Sequence, residues 1–461
     1  ISKQTTIFMS MILPNNALFN KDDLRRIYYP LLMETLLSVT VGIADTMMVS
    51  QAGEAAVSGV SCFNTIQVFL VSLFSAFGTG GSVIVGQLIG MGNEKRARFA
   101  SKELIYLALA VSLFVAFIFF SFKESVMRLI YGSVEEDVFK AAIEYSIPII
   151  LSLPFMALSS SLTAIFRAQG KTKSTMIVST IANVVNIIGN AVFLVIFKMG
   201  AFGVGLSTLI SRIIMAIIFL VLVHDRKLKV YIDSLLKFEF NFKMASTIFS
   251  IALPSGLESS IFQLGKIVTI STIAACGTAS IASFAFLDNM GTFANVTGSA
   301  TGLALMVVGG QCCGAGEYDQ AKWYTKYFLK KAYVSIFVTS VVVMALLPFI
   351  INIYSYSEET KNLALLVTYE NLVATILIWP MSFTFPQILK SAGDVTFTMI
   401  VAISSMWIFR VVSARILGLT FGFGLRGVMW GMYIDWIVRA TFFILRYKSG
   451  KWMEKGLKKE D

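Results

Sequence analysis

The chain has 461 residues, 56% of them hydrophobic and only 14% charged, with mean hydropathy +0.76. Soluble domains carry about 25% charged residues, so a water-facing globule around one core is excluded. Disorder, a collagen or coiled-coil rod and, with 4 Cys, a disulfide scaffold are excluded too. The 38 Lys+Arg against 27 Asp+Glu give a net charge of +11, but these charges sit between apolar blocks. That reads as membrane topology rather than nucleic-acid binding, and no nucleic acid is expected as a partner.

A helix needs about 20 mostly apolar residues to cross a bilayer. In chain order, twelve candidates fall at 26–49, 57–81, 102–122, 141–164, 175–197, 202–223, 247–273, 279–308, 328–351, 364–388, 397–418 and 424–445. With the N-terminus inside the cell, only Lys123, Arg128, Lys140, Lys198 and Lys361 fall on the outer side. Arg212, Lys266, Arg410, Arg415, Arg426 and Arg439 lie in spans or at their edges. All other Lys and Arg fall on inner segments, among them Lys3, Lys237, Lys458 and Lys459, as the positive-inside rule requires. The expectation is an all-α polytopic protein of the plasma membrane with both termini cytoplasmic. Its parts are a tail over 1–23, an N-lobe over 24–224, a linker over 225–246, a C-lobe over 247–446 and a basic tail over 447–461. No cleavable-signal pattern precedes the first apolar block.

The chain also repeats itself. PLLME (30–34) meets PSGLE (254–258) at an offset of 224, and the same offset pairs Gly53 with Gly277 and Ala55 with Ala279. It pairs GQLIGMG (86–92) with GQCCGAG (310–316) without a gap. Arg167-Ala168-Gln169-Gly170 meets Lys390-Ser391-Ala392-Gly393 at 223, and Gly205 meets Gly427 at 222. A duplicated six-span unit inserts both halves with the same orientation. Transporters built so carry substrate between the halves and alternate access by rocking one against the other.

Ionisable residues inside spans are expensive and are functional candidates by default. Asp45 lies 15 residues beyond Pro30, about 22 Å along a helix at 1.5 Å per residue, hence in the outer half of the bilayer. A lone carboxylate there can take a proton or a cation such as Na⁺, or simply join a buried hydrogen-bond network. Asn183, Asn186 and Asn190 share one helical face with Thr180. This stripe is either interhelical glue or part of an ion site beside Asp45. Glu34 and Glu258 are repeat mates near the inner surface; they either line a cavity or accept from a basic loop residue. Lys266 and Asp288 make a plausible buried pair, or Lys266 binds an anionic group. Arg410, Arg415, Asp435 and Arg439 are candidates for a second network, with Asp435 and Arg439 at i,i+4.

Catalytic patterns are missing. The one histidine, His224, ends span six, and no GxxxxGK[ST] occurs. The four cysteines have no CxxC or Cys/His spacing and read as structural. An enzyme and a resident cofactor are therefore not expected, and the driving energy must come from an ion gradient or from the substrate.

Pro30 to Asp45 followed by Gly53-Glu54, GQLIGMGN, FRAQGKTK (166–173), the Asn186–Asn190 segment, GAFGVGLSTLIS (200–211) and RVVSARIL (410–417) resemble the recurrent stretches of the multidrug and toxic compound extrusion (MATE) family. The resemblance covers 24–446 and is nearest to the DinF-like prokaryotic branch. It implies a V-shaped fold of twelve helices in two pseudo-symmetric six-helix lobes, functioning as a monomer. It further implies an antiporter that exports organic, often cationic lipophilic, small molecules in exchange for H⁺ or Na⁺. The family's coupling Asp maps onto Asp45 and its fifth-span polar pair onto Asn186 and Asn190, where the branch commonly has Asp at the second position. The other branch's seventh-span Glu falls near Phe262, one turn beyond Glu258. Lys266 and Asp288 are outside the family pattern and point to a narrower or anionic substrate; a flippase or exporter of an anionic or lipid-linked compound is the alternative reading.

Overall fold

The computed structural model describes residues 14, 16–50, 53–132, 134–235 and 240–457. Most of the 1–23 tail and the basic residues Lys3, Lys237, Lys458 and Lys459 lie outside them. Among the described residues the chain is helical throughout, with no strand. The N-terminal half contains α1 (Lys21–Val49), α2 (Glu54–Gly90), α3 (Glu94–Tyr131), α4 (Glu136–Leu151), α5 (Leu153–Ala168), α6 (Thr172–Asn190) and α7 (Gly200–Val223). The C-terminal half contains α8 (Phe242–Ala274), α9 (Thr278–Ala315), α10 (Tyr318–Ile350), α11 (Glu358–Leu377), α12 (Pro386–Ser391), α13 (Val395–Ser404), α14 (Val412–Arg415) and α15 (Gly424–Lys448).

Nine of the described helical segments are long and apolar enough to cross a membrane, and two bent pairs add one crossing each. In α4–α5 the bend is 47°, with Pro154 opening the second helix where a missing N–H costs nothing. In α11–α12 it is 55°, with Pro380 starting a π-helical turn. Helix α8, the repeat mate of α1, has 33 residues and reaches about 50 Å at 1.5 Å each, but Ser, Thr, Glu258 and Lys266 dilute it below the apolarity of those segments. Span eleven also departs from an ideal helix: π-helical turns occupy Ser405–Val411 and Ile416–Thr420 on either side of α14.

The duplication becomes a two-fold packing of the halves. Helix α2 lies against α8, and its mate α9 lies against α1, the mate of α8. The halves come closest where the two GQ motifs end α2 and α9. A Cβ on Gly86 would stand 3.7 Å from the Cα of Gly310. Gly90 faces the carbonyl of Gln311 with no room for a Cβ, and Gly314 faces that of Gln87 in the same way. Gln87 Nε2 donates to the Ser391 carbonyl and Gln311 Nε2 to the Ala168 carbonyl, each at 2.7 Å.

This basic end carries three further straps. The segment ahead of α8 lies on α3, where Arg98 donates to the Lys229 carbonyl at 3.0 Å and covers the Tyr231 ring at 3.9 Å. The segment ahead of α1 lies on α10, where Leu18 N–H donates to Gln320 and Phe19 N–H to the Tyr324 hydroxyl. Each half is thus entered by a segment resting on the other half. After α15, Trp452 is fully buried, stacks on Tyr447 at 5.3 Å and meets Tyr318 edge-on. Leu457 N–H then reaches Gln87 Oε1 at 2.8 Å. The linker and the C-terminal tail are largely exposed and charged, but each is anchored by buried side chains, Val230 and Ile232 in the one and Trp452 in the other.

Candidate functional site

Helix α1 is a wall shared by two cavities at the end opposite the GQ contacts. Val41, Gly42, Asp45 and Val49 face a cavity of about 440 Å³ in the N-lobe. Thr35 and Val39 face one of about 360 Å³ in the C-lobe.

The N-lobe cavity is polar. Asp45 is half-buried, and its Oδ1 accepts from Asn190 Nδ2 at 2.8 Å. With its amide turned to satisfy both ends, Asn186 donates to Oδ1 at 2.9 Å and to Oδ2 at 3.2 Å. Asn190 Oδ1 in turn accepts from the Ser207 hydroxyl on α7. Helical spacing explains the set: Asn186 and Asn190 are i,i+4 on α6, and both are buried toward α1 and α7. A π-helical turn, Ala191–Ile196, begins directly after Asn190. Asn183 lines the cavity but does not reach the carboxylate. Thr180 is not brought to the site: its hydroxyl donates to the Met176 carbonyl of its own helix at 2.8 Å.

Sequence reasoning missed part of this cavity. Arg212 lines it and donates to Ser152 Oγ at 2.6 Å, with no ion-pair partner among the described residues. Tyr145 donates to Gln67 at 3.0 Å beside it. The signal was a mid-span arginine on the stretch that carries Ser207. At the repeat position of Asp45 the C-lobe has Thr269, whose hydroxyl stays on its own helix. The acid therefore belongs to one lobe.

The C-lobe chamber is aromatic and basic. Phe262, Phe284, Trp379, Phe383 and Trp436 line it with Lys266, Asp288 and Arg410. Lys266 and Asp288 do pair, at 3.8 Å, but they are 36% and 55% exposed. The buried pair expected from sequence is thus an open one on the chamber wall. Arg410 Nε and Nη2 reach Asp435 Oδ2 at 3.0 and 2.9 Å, and Arg439 Nε reaches Oδ1 at 2.8 Å. Arg439 also donates to Ser405 and to the Ala402 carbonyl. Arg415 stays out of this network: it is exposed, one turn of irregular helix away.

Glu34 and Glu258 bind basic partners in symmetric fashion. Glu34 Oε1 pairs with Arg167 at 3.0 Å and accepts from Ser179 at 2.8 Å, while Oε2 accepts from Thr175 at 3.0 Å. Glu258 pairs with Lys390 at 2.9 Å, leaving Oε2 without a partner. Arg167 and Lys390 are themselves mates at the offset of 223. Both glutamates have a basic partner, and Glu258 lines a small cavity as well. No cluster of His, Cys, Asp and Glu able to hold a metal occurs among the described residues.

A helical membrane bundle in two sequence-related lobes, with a cavity in each, is the architecture of a membrane transporter. The MatE family model matches residues 30–192 and again 254–416, repeating at the same offset of 224; the chain belongs to this family, the MATE transporters, whose members are not enzymes. It is 27% identical over 446 residues to the uncharacterized transporter YisQ of Bacillus subtilis, covering 93% of this chain and 94% of that one. It is 24% identical over 412 residues to the multidrug export protein MepA of Staphylococcus aureus, covering 88% of each. A solved multidrug resistance MATE transporter of the MOP superfamily, in an outward-facing conformation, superposes with a TM-score of 0.88 at 18% identity, covering 94% of this chain and 96% of that one.

Proposed function

We propose that this chain is a secondary antiporter of the plasma membrane that exports lipophilic organic compounds in exchange for H⁺ or Na⁺ bound at Asp45. The observation that carries this reading is the Asp45–Asn190–Ser207 chain. It is a single carboxylate in a polar cavity whose amide partners can hold either its charged or its neutralised form. Export of drugs is what the names of relatives such as MepA point to. The two lobes, 24–224 and 247–446, would rock about the GQ contacts, with 225–246 as the tether.

The positive-inside rule puts the basic end in the cytoplasm, which makes the described conformation outward-facing. A cation entering from outside reaches Asp45 first. Neutralising the carboxylate changes what α1 exchanges with α6 and α7. Because the same helix carries Thr35 and Val39 into the C-lobe chamber two to three turns before Asp45, a shift of α1 reshapes the substrate cavity. Ion entry and substrate release are thereby linked through one helix.

The test uses proteoliposomes of the wild type and Asp45→Asn, with a pH gradient and a Na⁺ gradient imposed separately. Export of a fluorescent lipophilic probe driven by one gradient and lost in the variant is the expected result and identifies the ion. Wild-type rates in the variant would remove Asp45 from coupling.

A further inference from the structure

Two guanidinium groups share a single carboxylate in the C-lobe. Arg410, Asp435 and Arg439 are 5%, 0% and 3% exposed, and together they carry one surplus positive charge. Lys266 and Asp288 cancel each other and leave that surplus standing. Glu258, the next carboxylate along, lines a small cavity with Arg439 but is matched by Lys390. A charge buried among helices without a counterion is costly, and proteins retain one where it meets a partner of opposite sign.

The surplus faces the chamber. Arg410 spends Nε and Nη2 on Asp435, and its Nη1 makes no hydrogen bond among the described residues. Arg410 lines the chamber wall together with Lys266. The Lys266–Asp288 separation of 3.8 Å is beyond hydrogen-bond length, so the ammonium is held only loosely. Phe262 lies under both arginines, 5.3 Å from Arg410 and 5.1 Å from Arg439, and Trp379, Phe383 and Trp436 complete an aromatic surround. A guanidinium with Nη1 open, next to a loosely held ammonium, fits a carboxylate, sulfonate or phosphate.

We infer that the C-lobe chamber is a binding site for amphiphiles with an acidic group, held by Arg410 and Lys266, on an aromatic or apolar body. This deepens the antiport reading and rests on it for the direction of transport. The substrate's acid supplies the counterion that the triad lacks, and Asp288 takes up Lys266 again when the substrate leaves. The site therefore selects against compounds whose only charge is positive.

The test is binding in phosphatidylcholine nanodiscs, with pyrenebutyrate and pyrenebutylammonium as a pair alike in aromatic body and opposite in head-group charge. Quenching of tryptophan by the pyrene reads occupancy beside Trp379 and Trp436. The wild type should bind the acid roughly tenfold or more tighter than the ammonium, and Arg410→Gln and Lys266→Gln should each lose about that preference. Arg410→Gln leaves Asp435 and Arg439 as a one-to-one pair; should it nonetheless fail to fold, Lys266→Gln, at a half-exposed position, carries the test. Equal or tighter binding of the ammonium, or unchanged acid binding in the variants, would overturn the inference. Gradient-driven export separates the two readings. Acid preference without any gradient-driven export upholds the site and defeats antiport. Export of the ammonium and not of the acid defeats the site alone.

Discussion

Gln87 and Gln311 stand 224 positions apart, and each ties its own lobe to the other through a 2.7 Å bond to a backbone carbonyl, Ser391 in one case and Ala168 in the other. The acceptors are repeat mates as well. The bonds differ in one respect: Gln87 also accepts from Leu457 N–H. A hydrogen bond of this kind contributes about 0.5–1.5 kcal/mol. Gln311→Ala should therefore raise the population open at the basic end roughly twofold to tenfold, and Gln87→Ala should raise it further. Spin labels at Lys95→Cys and Asp319→Cys, in a background free of native cysteine, would report the distance. Equal shifts in the two variants would deny the tail a part in the closure.

Gly314 has no space for a side chain against the Gln87 carbonyl. Gly314→Val should wedge this seam apart rather than unfold the lobes. Cys312 and Cys313 are buried next to it and offer a native readout. Maleimide should label them slowly in the wild type and several-fold faster in Gly314→Val. Unchanged labelling would mean that the seam adjusts without opening.

The duplication, the long crossings and the shared face of Asn186 and Asn190 were legible in the sequence, because each rests on spacing along one helix or on a fixed offset; Asp45, on another helix, was placed beside them only by the family resemblance. What was not legible depends on where helices turn relative to one another. Thr180 belongs to the polar stripe by periodicity, yet its hydroxyl returns to Met176. Arg415 is five residues from Arg410, roughly 140° round a helix of 3.6 residues per turn, and it is exposed. The Lys266–Asp288 pair was predicted by proximity of spans, but its exposure depends on the chamber between them. Arg212 lacked a sequence-local partner, and its neighbour Ser152 sits at a helix bend that periodicity does not mark.

Asn190 joins Asp45 to α7, whereas Thr180 does neither. Asn190→Ala should slow gradient-driven transport about tenfold or more, since it removes a charge-assisted hydrogen bond worth roughly 1.5–3 kcal/mol. Thr180→Val should transport as the wild type does. Initial rates in proteoliposomes decide it, and equal rates for the two variants would take the fifth-span amide out of coupling.

The symmetric carboxylates should differ in stability. Glu34 satisfies Arg167 and two hydroxyls, while Glu258 satisfies Lys390 alone. Removing one partner of a buried pair costs roughly 3–5 kcal/mol. Thermal unfolding followed by fluorescence-detected gel filtration should rank wild type above Glu258→Ala and Glu258→Ala above Glu34→Ala. The reverse order would mean that the loss at Glu34 is absorbed by water.

At the GQ seam, Gly90 touches Gln311 and Gly314 touches Gln87, so residue i meets j and residue j meets i. That reciprocity is the signature of an isologous dimer interface; here it is written within one polypeptide. The peptide between α7 and α8 then acts chiefly to raise the effective concentration of one half near the other. Two separately produced six-span fragments would each carry a complete complementary face, and co-expression should return them to the same pairing without any covalent connection.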